Sequence, residues 1–225
     1  MPPSRLSPLQ ERVLDALEGV AGDWTLTGGA ALAGFHTGHR ETRDLDLFWR
    51  SRSELGDARD EVAARLRAAG FGVEIAQAAP AFARLLVRSV EETLVVDLVA
   101  EPVAAVEPAV EVERGGRKLR IDSAHEILVN KLCSLIQRSE LRDLLDVEAL
   151  LGHGGDLGRA AADAPRKERG FSPLTLAWVL RELPIEAMGR ASGLSSEGAA
   201  RASAFRDGLV DRILKLSEPS QRDPH

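Results

Sequence analysis

The sequence predicts an α+β protein, a mixed sheet flanked by helices and followed by a C-terminal helical bundle. Three observations carry this. Short β-type runs alternate with helical patterns up to residue 121. Helical periodicity then continues almost unbroken from Ser123. A glycine pair followed by two closely spaced aspartates stands near the start of the strand-rich half. The organisation expected is an α/β core with its N-terminal helix at 1–121, a helical domain at 122–216 and a disordered tail at 217–225.

Taken in order, residues 7–19 carry Leu9, Val13, Leu14 and Leu17 at helical spacing, with Gly19 as a stop. Trp24 to Thr27 is a short strand, after which Gly28 and Gly29 open a small-residue helix, AALAGF. Residues 45–49 read as a strand. Ser53 is a good N-cap for a helix reaching Ala69, with Leu55, Ala58, Val62 and Leu66 on its inner face and Gly70 ending it. Strands are expected at 71–76, 82–88 and 93–99, and "ERGGRK" within 110–121 marks a hairpin turn. Ser123 and Glu126 have capping-box spacing at the head of the helical half. Pro165, Pro173 and Pro184 punctuate its helices, and the polar tail SEPSQRDPH is expected to be disordered.

Composition limits the function classes. A chain of 225 residues buries a sizeable core, and 44% hydrophobic with 28% charged residues fits a soluble globular protein. No apolar run approaches the roughly 20 residues of a membrane span. The opening MPPSRLSPLQ lacks a secretory apolar core and cleavage site, and a single cysteine, Cys133, fits a reducing compartment, so a cytoplasmic location is expected. The net charge of −6 argues against a general nucleic-acid coat. Any RNA contact rests on a local patch, for which Arg40, Arg43, Arg50 and Arg52 around the acidic strand are the candidate rim.

In DLDLFW, side chains alternate, so Asp44, Asp46 and Phe48 share one face and Leu45, Leu47 and Trp49 the other. Two carboxylates so placed repel unless a cation or donors lie between them, and a hard cation such as Mg²⁺ suits them. An exposed polar strand face is the plain alternative. Asp97 interrupts the apolar run TLVVDLVA, the pattern of a buried strand. A buried carboxylate needs compensation, from a metal shared with Asp44 and Asp46 or from an arginine. Three such carboxylates would hold two metals about 3.5–4 Å apart.

Gly28 and Gly29 fall between strand and helix, where backbone N–H groups approach a phosphate closely; an ordinary tight turn is the alternative. Lys131 projects into the apolar stripe of Ala124, Ile127, Leu128, Leu132 and Leu135, so it needs an anion, either a protein carboxylate or a ligand phosphate, unless its stem snorkels to solvent. In RDLLDVEALL, Asp143 and Asp146 share a face with Leu150 on an otherwise apolar helix, and Arg142 is placed to pair with a carboxylate. Asp143 also suits the first turn of a helix. The histidines His36, His39, His125, His153 and His225 show no metal-ligand spacing, and no nucleophile motif or Walker-type phosphate loop is present.

Together, Gly28-Gly29, the stretch RETRDLD ending at Asp46, Lys131 and RDLLD resemble the AbiEii/AbiGii toxin family of nucleotidyltransferases, within the DNA polymerase β-like nucleotidyltransferase superfamily. The resemblance covers residues 24 to 151. It implies a nucleotidyltransferase-fold sheet and a metal-dependent enzyme that moves an NMP from an NTP to an acceptor, as a toxin-antitoxin or phage-defence toxin. Asp44 and Asp46 then correspond to the metal-binding pair and Asp97 to the third metal-binding and catalytic carboxylate. Gly28 and Gly29 correspond to the turn that holds the nucleotide phosphates, Lys131 to a helical lysine near the triphosphate, with Arg142 beside it in nucleotide binding, and Asp143 to a further essential acid. The implied cofactor is Mg²⁺ or Mn²⁺. The implied partners are the NTP, an RNA acceptor such as tRNA and a cognate antitoxin; no membrane is implied. Ala30 departs from the pattern, since a Ser or Thr commonly follows the glycines. Two alternatives stay open: a non-catalytic nucleotide- or partner-binding member of the fold, and a nucleotidyltransferase of small molecules such as antibiotics.

Overall fold

The computed structural model describes residues 4–20, 24–114 and 116–217. The chain divides into two compact units, the first reaching Ile127 and the second starting at Leu128.

The first unit opens with helix α1 (Pro8–Ala16). Its capping box is complete, with the Gln10 N–H donating to Ser7 Oγ at 3.2 Å and the Ser7 N–H donating to Gln10 Oε1 at 2.7 Å. The helix ends at Leu17, two residues before the expected glycine stop. Strand β1 (Trp24–Thr27) leads into a single α turn, α2 (Gly28–Ala31), and then a π turn over Leu32–His36. The expected AALAGF helix is therefore one α turn widened into a π turn, a departure common near functional sites. Strand β2 (Asp44–Arg50) follows.

Helix α3 spans Ala58–Ala68 with Asp57 at its N-cap, so Ser53 lies in the preceding loop and does not cap it. That loop is held by tertiary contacts instead: Leu55 is buried and its N–H donates to the Pro80 carbonyl at 2.8 Å. Strands β3 (Gly72–Ala79), β4 (Phe82–Arg88) and β5 (Thr93–Glu101) come next, then the hairpin of β6 (Val110–Arg114) and β7 (Arg117–Ile121). β3 is longer than expected because its pairing with β4 continues through an irregularity between Ile75 and Gln77.

Among the described residues these strands form one seven-stranded sheet in the order β3-β4-β5-β2-β1-β7-β6. The pairs β2/β5 and β1/β7 are parallel, and the rest are antiparallel. One face of the central strands is core: Leu45, Leu47, Trp49, Leu85, Val96 and Leu98 are all buried. Helix α3 packs on β3, β4 and α1, burying Val62, Ala63 and Leu66. Burial alternates residue by residue along β2, so the face bearing Asp44 and Asp46 is the more open one.

Helix α4 (Ala124–Gln137) carries the chain across the division between units. The second unit continues with α5 (Leu141–Gly152), α6 (Leu157–Asp163), a 3-10 turn at Ala164–Arg166, α7 (Pro173–Glu182), α8 (Ile185–Ala191) and α9 (Ser196–Ser217). α7 and α8 both pack on α9. Pro165 lies in the 3-10 turn, Pro173 is the first residue of α7, and Pro184 is the N-cap of α8. The expected disordered tail falls outside the described residues beyond Ser217, which itself ends α9. Among the described residues no helix is long and apolar enough to cross a membrane.

Candidate active site

The open face of the sheet carries a polar row that crosses five strands. Pairing places Thr27 of β1 beside Asp46 of β2, Asp46 beside Asp97 of β5, Asp97 beside Arg84 of β4, and Arg84 beside Gln77 of β3. Side chains directly opposite one another on a sheet share a face and lie within reach. Asp44, two residues before Asp46, belongs to the next row on the same face, and Thr42 Oγ1 donates to its Oδ1 at 2.7 Å. The three aspartates picked out in the sequence therefore do gather on one face.

Asp97 already has a cationic partner within the protein, however. Arg84 clasps its carboxylate with both arms, Nε to Oδ1 at 2.8 Å and Nη2 to Oδ2 at 2.7 Å. Of the two compensations expected for a buried Asp97, the arginine is the one observed. The bond to Asp97, the charge of Asp97 and then the charges of Asp44 and Asp46 hold Arg84 above its already high ordinary pKa. This guanidinium thus sits in the combined field of all three acids.

Gly28 brings the turn against the acidic strand. Its φ of +62° suits glycine, and a Cβ there would collide with the Asp46 carboxylate. A Cβ on Gly29 would meet Thr42 Oγ1 at 2.8 Å and the Arg40 guanidinium at 3.2 Å. Both glycines are thus needed for the turn to lie close to Thr42 and Asp46. Ala30 is fully buried within α2.

Two supports of this site escape sequence reading. Gln10 on α1 is buried, and its Nε2 donates to the carbonyls of Thr42 and Asp44, each at 3.2 Å, which anchors the start of the acidic strand. Arg50, expected on a positive rim, is instead largely buried. It lies 5.1 Å over the Phe48 ring and pairs with Asp122 and, at 3.2 Å, with Glu126. Arg43 and Arg52 remain exposed. Glu126 also accepts the Val106 N–H at 2.7 Å, while Ser123 Oγ caps α4 by accepting the Glu126 N–H at 3.0 Å. Thr27 bonds to the Asp122 carboxylate, which burial pushes above its usual range against the pull of Arg50. His36, at the end of the π turn, donates Nε2–H to the Asp122 carbonyl at 2.8 Å, and burial lowers its pKa. The strand pattern around Asp44 gave no hint of this cluster, because its members come from four separate segments.

In the second unit, Lys131 on α4 meets Asp143 Oδ1 at 2.7 Å and Asp146 Oδ2 at 2.6 Å, both acids on α5 being fully buried. The anion an inward lysine needs is supplied by the protein. Arg138 adds two bonds to Asp143, Nε to Oδ2 at 2.7 Å and Nη2 to Oδ1 at 2.9 Å. Burial pushes the Asp143 carboxyl up, but the bonds from Arg138 and Lys131 outweigh it and hold the group below its ordinary range. Arg142 is exposed and pairs with Glu140 at 3.0 Å. His39 is exposed, with its Nδ1 2.6 Å from Thr37 Oγ1.

Among the described residues no three Asp, Glu, His or Cys side chains converge to hold a metal ion. The donor chemistry of Asp44 and Asp46 nonetheless fits Mg²⁺, which commonly takes one or two carboxylates and completes its shell with water and substrate phosphates.

A mixed sheet with a glycine turn beside an Asp-x-Asp strand defines the class: a nucleotidyltransferase fold. Solved structures of that class superimpose on most of the chain. A nucleotidyltransferase from H. pylori, 18% identical, matches with a TM-score of 0.54 over 94% of this chain and 96% of its own. MenT4, a nucleotidyltransferase toxin from Mycobacterium tuberculosis H37Rv, 17% identical, matches with a TM-score of 0.56 over 92% and 91%. The family model for the nucleotidyl transferase AbiEii toxin of type IV toxin–antitoxin systems matches residues 12–216, and the chain belongs to that family. No curated protein matches it.

Proposed function

We propose that this protein is a Mg²⁺-dependent nucleotidyltransferase that moves an NMP from an NTP to an RNA acceptor such as tRNA, acting in the cytoplasm as a toxin restrained by a cognate antitoxin. The observation that carries the reading is the placement of Asp44, Asp46 and Asp97 on one open sheet face directly beside the Gly28 turn. Asp44 and Asp46 are the residues that would hold the cation, and when bound it would draw charge from the α-phosphate. The Gly28–Gly29 turn offers backbone close to that face for the phosphates. The acceptor hydroxyl attacks the α-phosphorus, the bond to pyrophosphate breaks, and the hydroxyl proton passes to Asp97 once its bond to Arg84 loosens. Exposed Arg43 and Arg52 supply positive charge near the two ends of β2 for an RNA acceptor. Lys131 serves a phosphate only as its pairs with Asp143 and Asp146 loosen, so Lys131→Met lowers transfer, and Asp143 contributes by holding the lysine in place.

The test is incubation of the purified protein with Mg²⁺, each α-labelled NTP in turn and total cellular RNA, beside Asp46→Asn. Label entering an RNA band with wild type alone is the expected result. Equal labelling by Asp46→Asn overturns the mechanism. Label reaching only a small-molecule or protein extract overturns the RNA acceptor and leaves the chemistry intact.

A further inference from the structure

We infer that Arg84 sets how many divalent cations the acidic face accepts: while its guanidinium clasps Asp97 the face takes one cation, through Asp44 and Asp46, and without it a second enters through Asp97. The inference rests on the proposed metal reading of Asp44 and Asp46 and deepens it.

Geometry carries the argument. Arg84 takes one lone-pair site on each carboxylate oxygen of Asp97, the two that a chelating cation would use, and sets a positive charge there that a metal bound to the remaining sites must oppose. Asp97 and Asp46 are register neighbours on adjacent parallel strands, so a cation on Asp97 would stand beside one held by Asp46. The guanidinium is a monovalent cation already in that second position. The Arg84 side chain is 45% exposed and that of Asp97 12%, so the arginine is the more solvent-accessible partner of the pair, and it also lies 5.8 Å over the Phe82 ring. Asp97 by contrast is fixed in the sheet and largely shielded from water, so it favours a cationic partner whether that is Arg84 or a metal.

The test is a Mn²⁺ titration of the full chain, followed by the electron paramagnetic resonance signal of free Mn²⁺, for wild type, Asp46→Asn, Arg84→Gln, Arg84→Lys and Arg84→Gln/Asp97→Asn. Thermal melts with and without Mn²⁺ accompany it. One ion is expected on wild type and on Arg84→Lys, two on Arg84→Gln, and one again on the double variant. Arg84→Gln alone is expected to gain a larger Mn²⁺-dependent rise in melting temperature than wild type, since the metal then relieves an unpaired Asp97. The same stoichiometry and the same melting shift in wild type and Arg84→Gln overturn the role of Arg84, and two ions on wild type do so equally. If the single ion is lost in Asp46→Asn, the metal reading survives that failure. Absence of Mn²⁺ from wild type and Arg84→Gln alike overturns both.

Discussion

The Asp46 carboxylate fills the space that a side chain on residue 28 would need. This single relationship joins the two motifs that the sequence shows apart, the glycine pair and the acidic strand. β1 runs antiparallel to β2 with Thr27 opposite Asp46, so the chain leaves β1 directly at the level of the acid. It turns there through Gly28, with φ of +62°, into α2.

Gly28→Ala is therefore expected to cost about 1–3 kcal/mol from the left-handed backbone alone. It should also abolish transfer, because the new methyl group displaces the Asp46 carboxylate. Chemical denaturation and the RNA-labelling assay together check this. A variant that loses stability yet keeps full transfer would show that the turn does not position Asp46.

The buried cluster below the turn makes a second prediction. Arg50 is shared by two buried acids, so Arg50→Met leaves Asp122 and Glu126 without their guanidinium and should destabilise by about 3–5 kcal/mol. Asp122→Asn should cost far less, because burial already disfavours its charge and the amide keeps a similar shape. The sign agrees with linkage: a carboxyl raised in the fold adds stability at low pH that is lost as pH rises through its folded value. Urea melts at neutral pH rank the two variants, and a larger loss in Asp122→Asn would contradict the assignment.

The sequence held more of the site than of its supports. Alternation alone put Asp44 and Asp46 on one face, and an interrupted apolar run marked Asp97, because strand periodicity and burial are local properties. The partner of Asp97 was not legible, since Arg84 lies on an alternating strand, where an outward arginine is ordinary. Only the register of β4 on β5 brings the two together. The same reason hid Gln10, whose amide serves a strand that begins 34 residues later. Ser53 misled because a good cap residue before an apolar pattern is common, and here the loop through Leu55 docks before the helix starts. Lys131 was legible as inward-facing, and its spacing to RDLLD concealed that Asp143 and Asp146 answer it.

Those acids define a pH-dependent prediction. The Asp143 carboxyl lies below its ordinary value, because bonds from Arg138 and Lys131 outweigh the effect of burial. On acidification the unfolded chain therefore takes up this proton first, near the usual aspartate value of about 3.9. The stability that Asp143 contributes is complete above that value and is lost as pH falls through the lowered folded value. Asp143→Asn removes this titration and leaves Lys131 with Asp146. Its denaturation free energy should be smaller than wild type at neutral pH, and the gap should narrow steadily below about pH 4 as wild type loses the same term. Urea melts of both proteins from pH 7 down to the acid limit measure that gap. A difference that stays constant through the acid range would mean that Asp143 stabilises the α4–α5 pair by its shape and hydrogen bonds, and not by its charge.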